Sequence, residues 1–314
     1  SASVGWSVLY GAASVVIPSA LMAYGLTSSA LSRLTSGFAQ AAFAGLLFWE
    51  GVKVLLVVAM LWLALLYLVP AKPYAVPSIT PIYLGWIALG AFFQLAGTVA
   101  LLLAMKERNF AVAVTLTKTE VLQLALFASV FLHELPTPLA LAAMIVATIG
   151  MLLLSLPPRE QLLSPSAWLN RSALYGLACG SCFAVATVGF RGGSLALGAE
   201  TAWLSGAWGV LIAQSMQTVG MGLWIQLRTA QGLAPIFRAW RISLLAGCMG
   251  AAASIAWFTA YAMQGASPVR TLGMIEVVFS YLVSRRVFSE SFSRAEKIGM
   301  GLMLLGLVVT CLQA

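Results

Sequence analysis

Apolar residues fill this chain in runs of about twenty, and polar residues gather in the short gaps between them. A helix crossing the roughly 30 Å hydrocarbon layer of a bilayer needs about 20 mainly apolar residues, and it satisfies its own backbone hydrogen bonds. The pattern predicts about ten spans, at 5–27, 40–69, 80–104, 110–132, 136–155, 171–191, 201–227, 240–263, 267–288 and 293–313. Uninterrupted runs such as Val54 to Val69 exclude the alternating strands of a membrane β-barrel. The longest gap, from Pro157-Pro158-Arg159-Glu160 to Ser172, is rich in proline and charge and divides the pattern into five spans and five.

The two halves echo each other. At one constant offset Thr115 falls on Thr271, Leu116 on Leu272, Glu120 on Glu276, Glu134 on Glu290 and Gly150 on Gly306, without a gap. A second echo relates Leu9-Tyr10-Gly11 to Leu174-Tyr175-Gly176. Residues 1–157 therefore read as a first five-helix repeat, 158–170 as a linker and 171–314 as a second repeat. An odd number of spans makes the second copy enter the membrane from the other side, so a pseudo-two-fold axis is expected in the membrane plane. The fold class expected is an all-α polytopic membrane protein, with two inverted repeats around a central cavity.

Composition agrees and narrows the class. With 61% hydrophobic and 8% charged residues and a mean hydropathy of +0.97, no water-soluble domain of this length could bury so much apolar surface. The net charge of +8 does not point to nucleic acid, because the basic residues sit in short connections and read as topology signals. Arg33, Lys106, Arg108, Arg159, Arg171, Arg228, Arg238, Arg241, Arg285, Arg286, Arg294 and Lys297 fall on one side; Lys72, Arg191 and Arg270 fall on the other. The bias predicts a multi-pass protein of the inner (plasma) membrane with both termini on the non-cytoplasmic side. The first run lacks a basic leader and a cleavage site and reads as a true span. Cys179, Cys182, Cys248 and Cys311 lie within apolar segments and read as small buried hydrophobes.

Ionisable side chains deep in a membrane cost about 2.5–3.5 kcal/mol on insertion scales, so each needs a partner or a wet cavity. Glu50 and Lys53 share a helical face and suit an intrahelical pair. Lys118 and Glu120 are two apart and diverge, so they cannot simply neutralise each other. The repeat relates Glu120 to Glu276, for which both a packing role and a role in substrate or proton binding are open. Arg270 lies beside Pro268, which bends or begins a helix, and could recognise a carboxylate or mark a helix end. Glu134 and Glu290 read as N-terminal charges for the helices that follow them, and His133 as an interfacial residue. Tyr83, Trp86, Phe92, Phe93 and Gln94 in the third span and Trp257, Phe258 and Tyr261 in the eighth occupy corresponding elements. Gln94 and Trp257 lie deep enough to suit a mostly apolar cavity with a few directional polar groups.

Glu120-Val121 to Glu134 and Gly150, with its copy Glu276-Val277 to Glu290 and Gly306, resembles the drug/metabolite transporter (DMT) superfamily in its ten-span EamA-type form. The stretch after Phe292-Ser293-Arg294-Ala295-Glu296, Gly299-Met300 to Gly306, is similar to the end of YddG-type amino-acid and metabolite exporters. The resemblance implies that spans 1, 3, 4, 6, 8 and 9 line a cavity and spans 5 and 10 brace it. The wall candidates are then Tyr10, Gln94, Lys118, Glu120, Tyr175, Trp257, Tyr261 and Glu276, with Tyr83 beside them. It also implies alternating access, no cofactor or metal, a monomer, and protons as a candidate coupling ion. The expected cargo is a small metabolite, with amino acids, aromatic ones included, ahead of nucleosides, amines and nucleotide sugars. The first span lacks the acidic residue that small multidrug exporters use. An enzyme is disfavoured, since there is no Asp and one His cannot assemble the usual metalloprotease ligands. A channel is the remaining alternative.

Overall fold

In the computed structural model the described residues are 77–104, 110–155, 170–228, 240–279 and 293–313. They form helices α1 (Pro81–Ala104), α2 (Phe110–Thr117), α3 (Glu120–Phe131), α4 (Pro138–Leu154), α5 (Arg171–Leu197), α6 (Ala202–Arg228), α7 (Trp240–Met263), α8 (Ala266–Gly273) and α9 (Arg294–Gln313). Residues 276–279 open a further helix. No strand occurs among the described residues. Tyr10, Glu50, Lys53, Glu290, the first two expected spans and most of the linker lie outside them.

Among the described residues four segments are long and apolar enough to cross a membrane: Pro81–Ala104, Val112–Phe131, Arg171–Leu197 and Arg294–Gln313. Their burial is inverted relative to a water-soluble protein. Bulky apolar side chains face outward, with Ile82, Phe92 and Leu174 each about two-thirds exposed, while alanines such as Ala113, Ala128, Ala147 and Ala184 fill the interior. Lipid accepts an outward Leu or Ile at no cost, so close packing falls to small residues instead. The all-helical fold is thus compatible with a helical membrane protein.

The chain divides into two compact units. The first holds Leu89–Gly192 and Gln264–Ala314, and the second holds Gly193–Met263 with the described residues up to Ala88. Each unit therefore draws on both halves of the sequence.

Within the first unit, α4 and α9 interlock. A Cβ on Gly150 would lie 2.4 Å from the Met303 nitrogen and 2.5 Å from the Gly299 oxygen. A Cβ on Gly306 would lie 2.6 Å from the Ala143 oxygen and 2.7 Å from the Ala147 Cβ. At the far end the Thr137 hydroxyl donates to Gln313 Oε1 at 2.8 Å. Going up one helix means going down the other, so the two run antiparallel. The α4 start is conventional: Pro138 sits in the first turn and Thr137 Oγ1 accepts from the Ala140 N–H at 3.1 Å. The α9 start is a capping box, in which the Ser293 N–H donates to Glu296 Oε2 and the Glu296 N–H to Ser293 Oγ. Met144, Ala147 and Met151 on α4 pack with Met303 and Leu307 on α9 and with Met274, beneath Ile275 and Val277.

In the second unit α6 and α7 pack through the same device. Gly206 and Gly209 admit Thr259 and Phe258, where a Cβ would come within 2.5 Å and 2.6 Å. Gly193, likewise, accommodates Ile87.

Two expectations are corrected here. Arg191 is not in a connection, because α5 continues past the expected end at 191 to Leu197. Span 110–132 is not one helix but two, α2 and α3, with Lys118 and Thr119 between them.

Candidate functional site

The interruption at Lys118-Thr119 has a local cause. Thr117 and Thr119 turn their hydroxyls back onto the Val114 and Leu116 carbonyls, each at 2.7 Å, and such back-bonding loosens a helix. The backbone tightens, with the Lys118 N–H donating to the Thr115 oxygen and the Thr119 N–H to the Leu116 oxygen, both 3.1 Å. The same event occurs at Met274-Ile275. There the Met274 and Ile275 N–H groups donate to the Thr271 and Leu272 oxygens, again at 3.1 Å, and a helix resumes at Glu276. Donor and acceptor correspond one by one at the offset that places Glu120 on Glu276.

A polar chain fixes the first interruption. Ser181 Oγ on α5 donates to Gln123 Oε1 at 2.5 Å, and Gln123 Nε2 donates to Thr119 Oγ1 at 2.8 Å. Glycines let α5 come this close. A Cβ on Gly176 would lie 2.4 Å from the Ala113 oxygen, and one on Gly180 would lie 3.3 Å from the Thr117 oxygen.

Both interruptions border one cavity of about 170 Å³, contained wholly in the first unit. Its charged lining is Lys118, Glu120, Arg270 and Glu276, and its apolar wall includes Leu101, Phe183 and Met274. Arg270 reaches from α8 to grip Glu120 in a fork, with Nε to Oε1 at 2.7 Å and Nη2 to Oε2 at 2.8 Å. Glu120 opens α3, where the helix dipole favours a negative charge, and it is buried. Arg270 ends α8, where that dipole favours a positive one. Among the described residues the Lys118 ammonium has no hydrogen-bond or ion-pair partner.

A second ion pair stabilises the approach to α8. Glu134 Oε1 accepts from Arg191 Nε at 2.7 Å, and its Oε2 accepts from the Ala266 N–H at 3.0 Å. Glu134 thus sits at a helix start, but that of α8 rather than of the following α4, whose own cap is Thr137. Pro268 begins this helix instead of bending one, occupying a first-turn position where no backbone donor is missed. His133 turns the chain between α3 and Glu134 at a positive φ of 55° and is exposed.

Of the residues singled out in the sequence, Lys118, Glu120 and Glu276 come together at this cavity. Gln94 and Tyr175 belong to the same unit, both half-buried, but are not among its lining residues. Tyr83, Trp257 and Tyr261 belong to the second unit. There Tyr83 is fully buried, and the Trp257 and Tyr261 rings stack with centroids 5.8 Å apart. Sequence reasoning left Arg270, Thr117, Cys179 and Phe183 out of the site. Arg270 carried a signal, an intramembrane charge; Phe183 carried none that separates it from the other phenylalanines. No group of three or more potential metal ligands occurs among the described residues.

No protein-family model matches the chain, and no curated protein matches it in sequence. Its fold does match a solved one. A structure described only as "Crystal structure of protein" superposes with a TM-score of 0.65 over 98% of this chain and 99% of that one, at 16% identity. That likeness concerns the fold alone.

Proposed function

We propose that this chain is a secondary transporter of the ten-span drug/metabolite type, moving small metabolites by alternating access between two inverted five-helix repeats. Amino acids are the first cargo to test. One observation carries the reading: two helix interruptions, related by the sequence repeat, border the same charged cavity. Broken helices around a polar site are how membrane carriers expose backbone and charge to a solute without exposing them to lipid.

The α4–α9 contact supports the inverted arrangement. Gly150 meets Gly299 and Met303 while Gly306 meets Ala143 and Ala147, so each contact maps onto the other under the repeat offset. Such self-complementarity between antiparallel helices is what a two-fold axis perpendicular to them requires. The charge pattern supports the orientation with both termini outside. Arg191 and Arg270 are engaged in ion pairs within helices, so Lys72 is the one basic residue left in the outer connections.

Counterflow into proteoliposomes, with amino acids, nucleosides and amines offered in turn at two pH values, tests this reading. Saturable exchange of at least one solute is expected, and its pH response reports proton coupling. Unsaturable flux would make the protein a channel, and folded protein that moves no solute in the panel would end the carrier account.

A further inference from the structure

We propose that Glu134 is the latch of a gate: it clasps α3, α5 and α8 together where α3 stops, and letting go opens the cavity to that face of the membrane. The proposal rests on the carrier reading and supplies it with a moving part. The helices gathered by the latch also wall the cavity, α3 through Glu120 and Val121, α5 through Cys179 and Phe183, and α8 through Arg270. α3 belongs to the first half of the sequence, α5 and α8 to the second.

One carboxylate makes both ties. Its Oε1 takes the Arg191 guanidinium at 2.7 Å, and its Oε2 takes the first amide of α8, that of Ala266, at 3.0 Å. The side chains are 12% exposed at Arg191 and 22% at Glu134, so water screens the pair little and it holds more firmly than an ordinary surface ion pair. Two backbone features aim the carboxylate. His133 adopts the left-handed conformation, with φ 55°, which is uncommon for a residue with a side chain; it turns Glu134 back so that its own N–H reaches the Ala128 oxygen at 3.2 Å. Gly265 leaves room beside it, since a Cβ there would stand 3.1 Å from Oε2.

α8 is eight residues long and is held by two glutamates, one opening α3 and one just past its end. Glu120 grips Arg270 at the cavity, whereas the Glu134 clasp lies beyond the twelve residues of α3, a span of about 18 Å. Neither Glu134, Arg191 nor Ala266 lines the cavity. The clasp can therefore part without altering the site, and a contact of that kind sets which way the cavity opens, not what it binds.

Access is read with Thr117→Cys, at a position lining the cavity, in a full chain freed of its four native cysteines. The rate of labelling by membrane-impermeant maleimide is measured from each side of sealed vesicles, and Leu135→Cys, exposed beside the latch, identifies the latch's face. Glu134→Gln should speed labelling of the cavity from that face about fivefold or more, the low end for coupling between sites, and slow it from the other. Arg191→Gln should do the same, which keeps the test alive should Glu134→Gln fail to fold. The double variant should add little to either, since both break one clasp. Labelling unchanged by both variants, or raised alike from both faces as general loosening would raise it, would overturn the proposal. If the intact chain labels from one face alone under every condition and Glu134→Gln opens the latch's face, the latch stands and the carrier reading fails; labelling from both faces that ignores Glu134 and Arg191 does the reverse.

Discussion

The interruptions at 118–119 and 274–275 share a backbone and differ in nearly everything else. Their hydrogen bonds match position for position, yet the first is polar and the second apolar. Lys118, Thr119 and Gln123 at one correspond to Met274, Ile275 and Phe279 at the other. The first is tied to α5 through Ser181 and Gln123, whereas the second packs with Met144, Met151 and Met303. The bend recurs at the two places while the side-chain chemistry differs. A glutamate opens the helix after each interruption; Glu120 takes the Arg270 guanidinium from the other half of the chain, and Val114 stands at the position that corresponds to Arg270 under the sequence offset.

Replacing Gly150 or Gly306 tests the symmetric part of that comparison and should have the largest effect. Alanine at either site drives a methyl into backbone of the facing helix. Overpacking usually costs about 1–3 kcal/mol, and backbone that cannot move aside puts both variants at about 3 kcal/mol or more. Thermal unfolding in detergent should show similar losses for the two, and a large disparity would break the equivalence of α4 and α9.

Arg270→Gln probes the asymmetric part. Removing one partner of a fully buried ion pair costs about 3–5 kcal/mol, and with the Arg270 side chain 29% exposed the loss should be about 2 kcal/mol. The double change with Glu120→Gln should recover part of it, as a double-mutant cycle by thermal unfolding would record. Glu134→Ala should cost less, about 1.5 kcal/mol, by leaving Arg191 without its carboxylate and the α8 start without its acceptor. Smallest is Gln123→Phe, which gives the first interruption the residue found at the second. Loss of the bond from Ser181 should cost about 1 kcal/mol, measured against Ser181→Ala, whose effect should not add to it.

Span positions were legible because lipid imposes a blunt constraint. The expected 80–104, 136–155, 240–263 and 293–313 agree with α1, α4, α7 and α9 to within two residues at each end. The interruption at 118–119 was not legible, since neither proline nor glycine marks it and its cause is hydroxyl back-bonding inside an apolar run. The expected span ended at 191, whereas α5 runs on through Gly192-Gly193 to Leu197. The partner of Glu120 was not legible, because a contact between residues 150 positions apart is a property of packing. Glu134 shows the same limit: its type and place suggested a helix start, and only the fold could say which.

The most direct measurement is the accessibility of the cavity from each face of the membrane. Thr117 lines it and is half-buried, so Thr117→Cys serves as a reporter in a chain whose four native cysteines are replaced by serine. The account predicts that membrane-impermeant maleimide labels this cysteine from either side of sealed vesicles, and that a transported solute protects it from both. Labelling confined to one side under every condition would contradict alternating access.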